Sequence, residues 1–129
     1  MALPEKANLT EALASFEDLW SPRIVSQVND YDVRIAKVEG EHVWHSHADT
    51  DEFFMVLDGE FHIGLRDRDG AESTVTLGVG DTFVVPKGME HRPFSPGASI
   101  LMFEQSGTLS TGDSDDIPDH VDTTAGHAL

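Results

Sequence analysis

The spacing of apolar residues changes once along the chain. Between residues 5 and 20, Leu9, Ala12, Leu13, Phe16, Leu19 and Trp20 recur at three- and four-residue intervals, which predicts an amphipathic helix. Asn8 can cap it, with Glu11 three positions later, and Ser21-Pro22 ends it. Such a stripe has to be buried, against this domain or against a partner. From Arg23 onward the apolar positions alternate or form brief runs, predicting strands over 23–28, 31–38, 42–47, 52–57, 60–66, 72–77, 82–85 and 99–104. Asn29-Asp30, Asp67–Gly70, Gly78–Asp81, Pro86–Gly88 and Ser95–Gly97 separate them with turn chemistry. Many short strands at this spacing predict an all-β sandwich or closed barrel.

Three segments follow: a helical segment over 1–22, a β-barrel over 23–104 and an acidic tail over 105–129. The tail carries Asp113, Asp115, Asp116, Asp119 and Asp122, no Lys or Arg, and few large apolar residues, which predicts a mobile or surface-draped stretch. A length of 129 residues suits one domain. Eight Lys and Arg against 24 Asp and Glu give a net charge of −16, which argues against nucleic acid and anionic membrane surfaces as partners. The absence of cysteine excludes disulfides, thiolate ligands and cysteine nucleophiles. Glu5, Glu11, Glu17 and Asp18 in a stretch without an apolar run do not read as a signal peptide. No segment approaches the ~20 apolar residues of a membrane helix, so a cytoplasmic protein is expected.

Candidate chemistry lies in two stretches, Gly40-x4-His45-x-His47-x4-Glu52-x6-Gly59 and Gly80-x5-Pro86-x-Gly88-x2-His91. On a strand, His45 and His47 point to the same side with Cα atoms about 7 Å apart, so both imidazoles can reach one ion. Asp58-Gly59 is a two-residue hairpin signal. Closing there sets Val56 opposite Phe61, Phe54 opposite Ile63 and Glu52 opposite Leu65, all on one face. A carboxylate on that apolar face is costly unless a cation compensates it, and a metal shared with His45 and His47 supplies one. His91, after the rigid Pro86-Lys87-Gly88 turn, can close the site with the other three; taken alone it reads first as a hydrogen-bonded barrel histidine. The same parity sends His42 and His62 to the opposite, outer face, and His120 and His127 fall in the tail, so these four are not expected to be ligands.

The two stretches resemble the two signature motifs of the cupin superfamily. The first motif is matched by Gly40, His45, His47, Glu52 and Gly59, the second by Gly80, Pro86, Gly88 and His91. Gly40 stands one residue closer to His45 than is usual, and Ser95 stands where the second motif commonly ends in asparagine. Together with the surrounding strands the resemblance covers roughly residues 23–104. It implies a double-stranded β-helix or jelly-roll barrel, usually a homodimer, holding one divalent metal ion through His45, His47, Glu52 and His91. Zn, Mn, Fe and Ni all suit such ligands.

The family's activities range over isomerases and epimerases, dioxygenases, decarboxylases, lyases and plain binding proteins, so the fold leaves the reaction open. Lewis-acid isomerisation or lysis of a small molecule needs a nearby base, for which Tyr31, Glu90, Glu104 and His62 are candidates. The eight cations, Lys6, Arg23, Arg34, Lys37, Arg66, Arg68, Lys87 and Arg92, are scattered and form no visible phosphate pocket. Fe(II)-dependent dioxygenation is the alternative, suited by the inward Phe54, Val56, Phe61 and Ile63. A non-catalytic binding or sensing module is the third reading, with the outward parity of Trp44, Phe53 and Met55 offering surface for a second copy or for the helix.

Overall fold

The computed structural model describes residues 4–129. Its elements in chain order are α1 (Leu9–Ala14), β1 (Arg23–Val28), β2 (Tyr31–Glu41), β3 (Glu52–Arg66), β4 (Glu72–Leu77), β5 (Thr82–Val85), β6 (Glu90–Gln105) and β7 (His127–Ala128). The strands join in the order β4-β3-β6-β2-β1-β7, with β5 paired to the other end of β3 from β4. All pairings are antiparallel except β1 with β7.

The barrel is built around two long strands, β3 with 15 residues and β6 with 16. This corrects the expected hairpin at Asp58-Gly59: the chain does not turn back there but continues, paired with β6 on both sides of the glycine. The register shifts between Val56 and Asp58 and again between Glu60 and His62. Such a bulge changes which parity faces inward, so Glu52, Phe54 and Val56 share the interior with Phe61 and Ile63, the face the hairpin would also have produced. Gly59 is required by contact as well as by its φ of 81°: a Cβ there would stand 2.1 Å from the Gly97 carbonyl oxygen. Across from it, Ser95 Oγ donates to the Glu60 carbonyl at 2.6 Å and accepts from the Gly97 amide at 2.9 Å. The Ser95–Gly97 turn signal therefore marks a kink inside β6, not its beginning.

The expected strand over 42–47 is also replaced. This stretch makes one isolated bridge, His45 with His91, and is otherwise irregular. Its backbone is carried by β6 through His42 N to Pro93 O (2.8 Å), His45 N to His91 O (3.0 Å) and His91 N to His45 O (2.9 Å).

The helix is six residues long, not sixteen. Asn8 caps it by accepting from the Glu11 amide at 3.0 Å. Beyond Ser15 the backbone groups are claimed by β2: Lys37 Nζ donates to the Phe16 carbonyl at 2.6 Å, and the Trp20 amide donates to the Lys37 carbonyl at 2.9 Å. Ala12 and Phe16 pack with Ile35, while Trp20, with φ 54°, enters the main core with Val38, Phe54, Val56, Phe61, Ile63 and Ile100. No helix among the described residues is long and apolar enough to cross a membrane.

The acidic segment after Gln105 lies along the barrel. Thr111 and Val121 are buried, Ser110 N donates to Thr124 O at 2.8 Å, and β7 extends the sheet beside Arg23 and Ile24. Beneath it, Arg34 is fully enclosed. Its Nε and Nη2 hold Asp32 Oδ2 at 3.2 and 2.9 Å, and its Nη1 donates to Glu104 Oε1 and to the Thr108 carbonyl, both at 2.9 Å. Ser106 Oγ donates to the other oxygen of Asp32 at 2.6 Å.

Removing one member of a buried ion cluster strands the remaining charges, at a cost of about 3–5 kcal/mol. Arg34→Ala is therefore expected to lower unfolding free energy by that order in denaturant titration. A loss under about 1 kcal/mol would show that the cluster does not support the fold.

Candidate metal centre

Four buried side chains converge inside the barrel: His45 and His47 from the loop after β2, Glu52 from the first position of β3, and His91 from β6. One ligand atom from each lies within 4.8 Å of the others. Pairing of Glu52 with Val85 fixes the carboxylate, and pairing of His91 with Leu65 fixes the third imidazole. Glu52 Oε1 lies 3.2 Å from His91 Nε2, and Oε2 lies 3.3 Å from His47 Nε2.

The tautomers are set by the backbone. His45 Nδ1 donates to the Val43 carbonyl at 2.8 Å and His91 Nδ1 to the Met89 carbonyl at 3.0 Å, because a carbonyl can only accept. Both rings therefore keep the Nε2 lone pair for the centre of the cluster. Burial, followed by the neighbouring His91 and His42, pushes the His45 pKa down to about 3, which holds that imidazole neutral, as a metal ligand must be.

Glu52 is the one carboxylate of the four. Burial works to raise its pKa, but the adjoining His47 and His91 outweigh this and hold it well below the usual carboxylate range. Glu104 behaves oppositely: burial and the charge of Glu52 push it well above that range. Arg34, which donates to Glu104 Oε1, works the other way without reversing the shift. Glu104 Oε2 has no hydrogen-bond partner.

These donors fit a divalent cation. His47 Nε2 is buried and makes no hydrogen bond, although it lies beside Glu52. An ion among three neutral imidazoles and one carboxylate would satisfy it and would neutralise a carboxylate that is otherwise expensive to bury. His45, His47, Glu52 and His91, the four residues singled out from their spacing, are thus brought together and could hold a metal ion.

Two sides of the cluster differ. Against His45 and Glu52 lies a narrow cavity of about 30 Å³, walled by Trp20, Phe54, Phe61, Ile100 and Met102. On the His47 side opens a polar cleft of about 530 Å³, between residues 46–50 and 105–113.

His42 corrects the sequence reading. It is not on the outer face but buried, its ring 5.1 Å from Trp20 and 5.0 Å from His45, because the irregular backbone after Glu41 does not keep strand parity. Burial pushes its pKa down to about 4, and its Nδ1 has no partner. The other histidines lie away from the cluster. His62 stacks on Phe94 and contacts Thr76, while His120 and His127 bond to the Glu41 carbonyl and to Asp122. Of the candidate bases, Tyr31 stacks on Phe103 and is partly exposed, and Glu90 is exposed and paired with Arg66; Glu104 alone of the four lines the inner cavity. Trp44 lies under Arg66, whose guanidinium stands 4.0 Å from the ring centroid.

A bent antiparallel barrel enclosing three histidines and a glutamate defines a cupin architecture, and sequence comparison agrees. Residues 31–104 match the Cupin domain family, and the chain belongs to it. The uncharacterized protein YdbB of Bacillus subtilis is 44% identical over 68 residues, 53% of this chain and 57% of YdbB. A crystal structure of a cupin-2 domain containing protein from Shewanella frigidimarina is 41% identical with a TM-score of 0.71, covering 77% of this chain and 93% of that one. A hydroquinone 1,2-dioxygenase from Sphingomonas sp., solved with 4-nitrophenol, is 25% identical with a TM-score of 0.69, covering 80% of this chain but 32% of that one. The chain thus spans little more than half of its curated relative YdbB.

The buried histidines make metal-free protein acid-sensitive. His42 and His45 ordinarily titrate at 6.5 but at about 4 and about 3 when folded. Between pH 6.5 and 4.5 the unfolded chain binds both protons and the folded chain neither, while the raised Glu104 works in the opposite sense. Stability should therefore fall on acidification, at about 1.4 kcal/mol per pH unit for each net proton. Below the ordinary glutamate value of 4.5, Glu104 no longer opposes and Glu52 adds a proton to the unfolded side, so the fall steepens. Denaturant titrations in chelator across this range test it; stability that is flat or rises on acidification would contradict it.

Proposed function

We propose that this protein is a mononuclear metal-dependent enzyme acting on a small molecule, with isomerase, epimerase or lyase chemistry as the first reading. The observation that carries it is the buried, unpartnered His47 Nε2 within a four-donor cluster. When bound, a divalent ion there supplies Lewis acidity to a substrate oxygen. His45, His47, Glu52 and His91 hold the ion. Glu104 supports catalysis beyond binding: it lines the inner cavity beside Glu52, burial and that neighbouring charge raise its pKa, and its Oε2 is free to exchange a proton.

The substrate approaches from the His47 side. Ser46, Asp49, Thr50 and Asp113 line that cleft, and no Lys or Arg does, so a neutral or cationic polar molecule suits it better than a phosphate ester. The opposite wall, with Trp20, Phe54, Phe61 and Met102, keeps water from the inner side of the cluster.

Dioxygenation is the second reading, favoured by that small apolar cavity against His45 and Glu52 and by the likeness to a hydroquinone 1,2-dioxygenase. Elemental mass spectrometry of untagged protein purified without chelator separates the readings. Near-stoichiometric zinc, manganese or nickel is expected for the first and iron for the second. A protein that arrives empty and refuses added metal would overturn both and leave a binding module.

A further inference from the structure

The residue between the two histidines of the first motif is held from an unexpected direction. Ser46 lies in an irregular stretch that β6 supports through His45, and the Gly88 amide supports through the His47 carbonyl at 2.8 Å. Its own polar groups go to the acidic segment instead. The Ser46 amide donates to Asp113 Oδ1 at 2.8 Å, Ser46 Oγ donates to Asp113 Oδ2 at 3.0 Å, and the Asp113 amide donates back to the Ser46 carbonyl at 3.2 Å. One aspartate thus bonds the amide, the carbonyl and the hydroxyl of the residue joining the two imidazoles, its backbone part as a neighbouring strand would.

The preceding residue brings the segment into direct contact with a ligand. At Gly112, with φ 51°, a Cβ would stand 2.3 Å from the Ser46 carbonyl oxygen and 2.9 Å from His45 Cδ2. The segment is anchored on either side of this approach. Arg34 holds the Thr108 carbonyl upstream, Thr111 is buried against Thr123, and β7 pairs with β1 downstream.

We propose that Asp113 is a positioning residue of the metal centre, acting through Ser46 to fix His45 and His47, so that docking of the 108–126 segment and metal binding are thermodynamically coupled. This rests on the metal reading above. Partners that orient metal ligands commonly contribute 10- to 100-fold in affinity. Coupling is reciprocal, so metal must tighten the clamp by the factor by which the clamp tightens metal.

The test is isothermal titration calorimetry of the full-length protein with Zn²⁺. Asp113→Ala is expected to weaken binding by about 10- to 100-fold. Asp113→Asn can keep both side-chain bonds, because the Ser46 hydroxyl can also accept, and should bind within a few-fold of wild type. Asp115→Ala, which removes an exposed charge nearby in sequence, should bind as wild type does. Amide exchange at Ser46 and Asp113, read on the wild-type protein by NMR, should slow on Zn²⁺ loading by a factor matching the Asp113→Ala loss. Wild-type affinity in Asp113→Ala, an Asp113→Asn variant as weak as the alanine, or unchanged exchange at those two amides would each overturn the proposal. The second of these would trace the effect to charge instead of geometry. A wild-type protein that takes up none of Zn²⁺, Mn²⁺, Fe²⁺ and Ni²⁺ would instead remove the metal reading, and this inference with it.

Discussion

An ionised carboxylate on the apolar inner face of a small barrel has to be compensated, and the arrangement around Glu52 follows from that requirement. Isolated in such a place, a carboxylate gives up several kcal/mol of hydration. His47 and His91 face its two oxygens at 3.3 and 3.2 Å. Neither is a permanent cation, and His45 is held neutral by its burial. Backbone carbonyls orient the His45 and His91 rings so that their free lone pairs point inward. Three imidazoles and one carboxylate thus converge on one point, a donor set that a divalent cation completes.

The same constraint organises the next layer. Glu104 lies beside Glu52, and two like charges so close cannot both ionise cheaply. The raised pKa of Glu104 and its contact with Arg34 ease the conflict, and Arg34 in turn reaches Asp32 and the backbone of the acidic segment. A continuous path of hydrogen bonds and packed polar groups therefore runs from the cluster to a segment whose composition alone suggests little structure. That path binds the chain after Gln105 to the site from below, while Ser46 and Asp113 bind it from the mouth.

Much of this was legible in the sequence where local chemistry decides the outcome. Asn8 caps the helix, the boundaries of β1, β4 and β5 follow their turn residues, and the inward sets Glu52, Phe54, Val56 and Phe61, Ile63 follow alternation on either side of the bulge. The four clustered residues share motif spacing strict enough to be recognised. Other features depend on contacts distant in sequence. Asp58-Gly59 has the residues of a hairpin, yet β6 pairs across it and only Gly97 on the opposite strand makes the bulge necessary. His42 turns inward because the chain after Glu41 leaves regular strand geometry, so counting parity from His45 misplaces it. The helix stops early where Lys37 of β2 takes the Phe16 carbonyl and accepts from the Trp20 amide. The acidic segment is held by hydroxyls, glycines and single carboxylates, which leave no apolar period to read.

X-ray absorption spectroscopy of the metal-loaded protein counts and identifies the atoms around the ion. Nitrogen and oxygen donors at roughly 2.0–2.2 Å are expected, with the outer scattering of three imidazoles falling to two in the His47→Asn variant. A spectrum showing one imidazole or none, or one unchanged by replacing His47, would contradict the assignment of His45, His47, Glu52 and His91 as the metal centre.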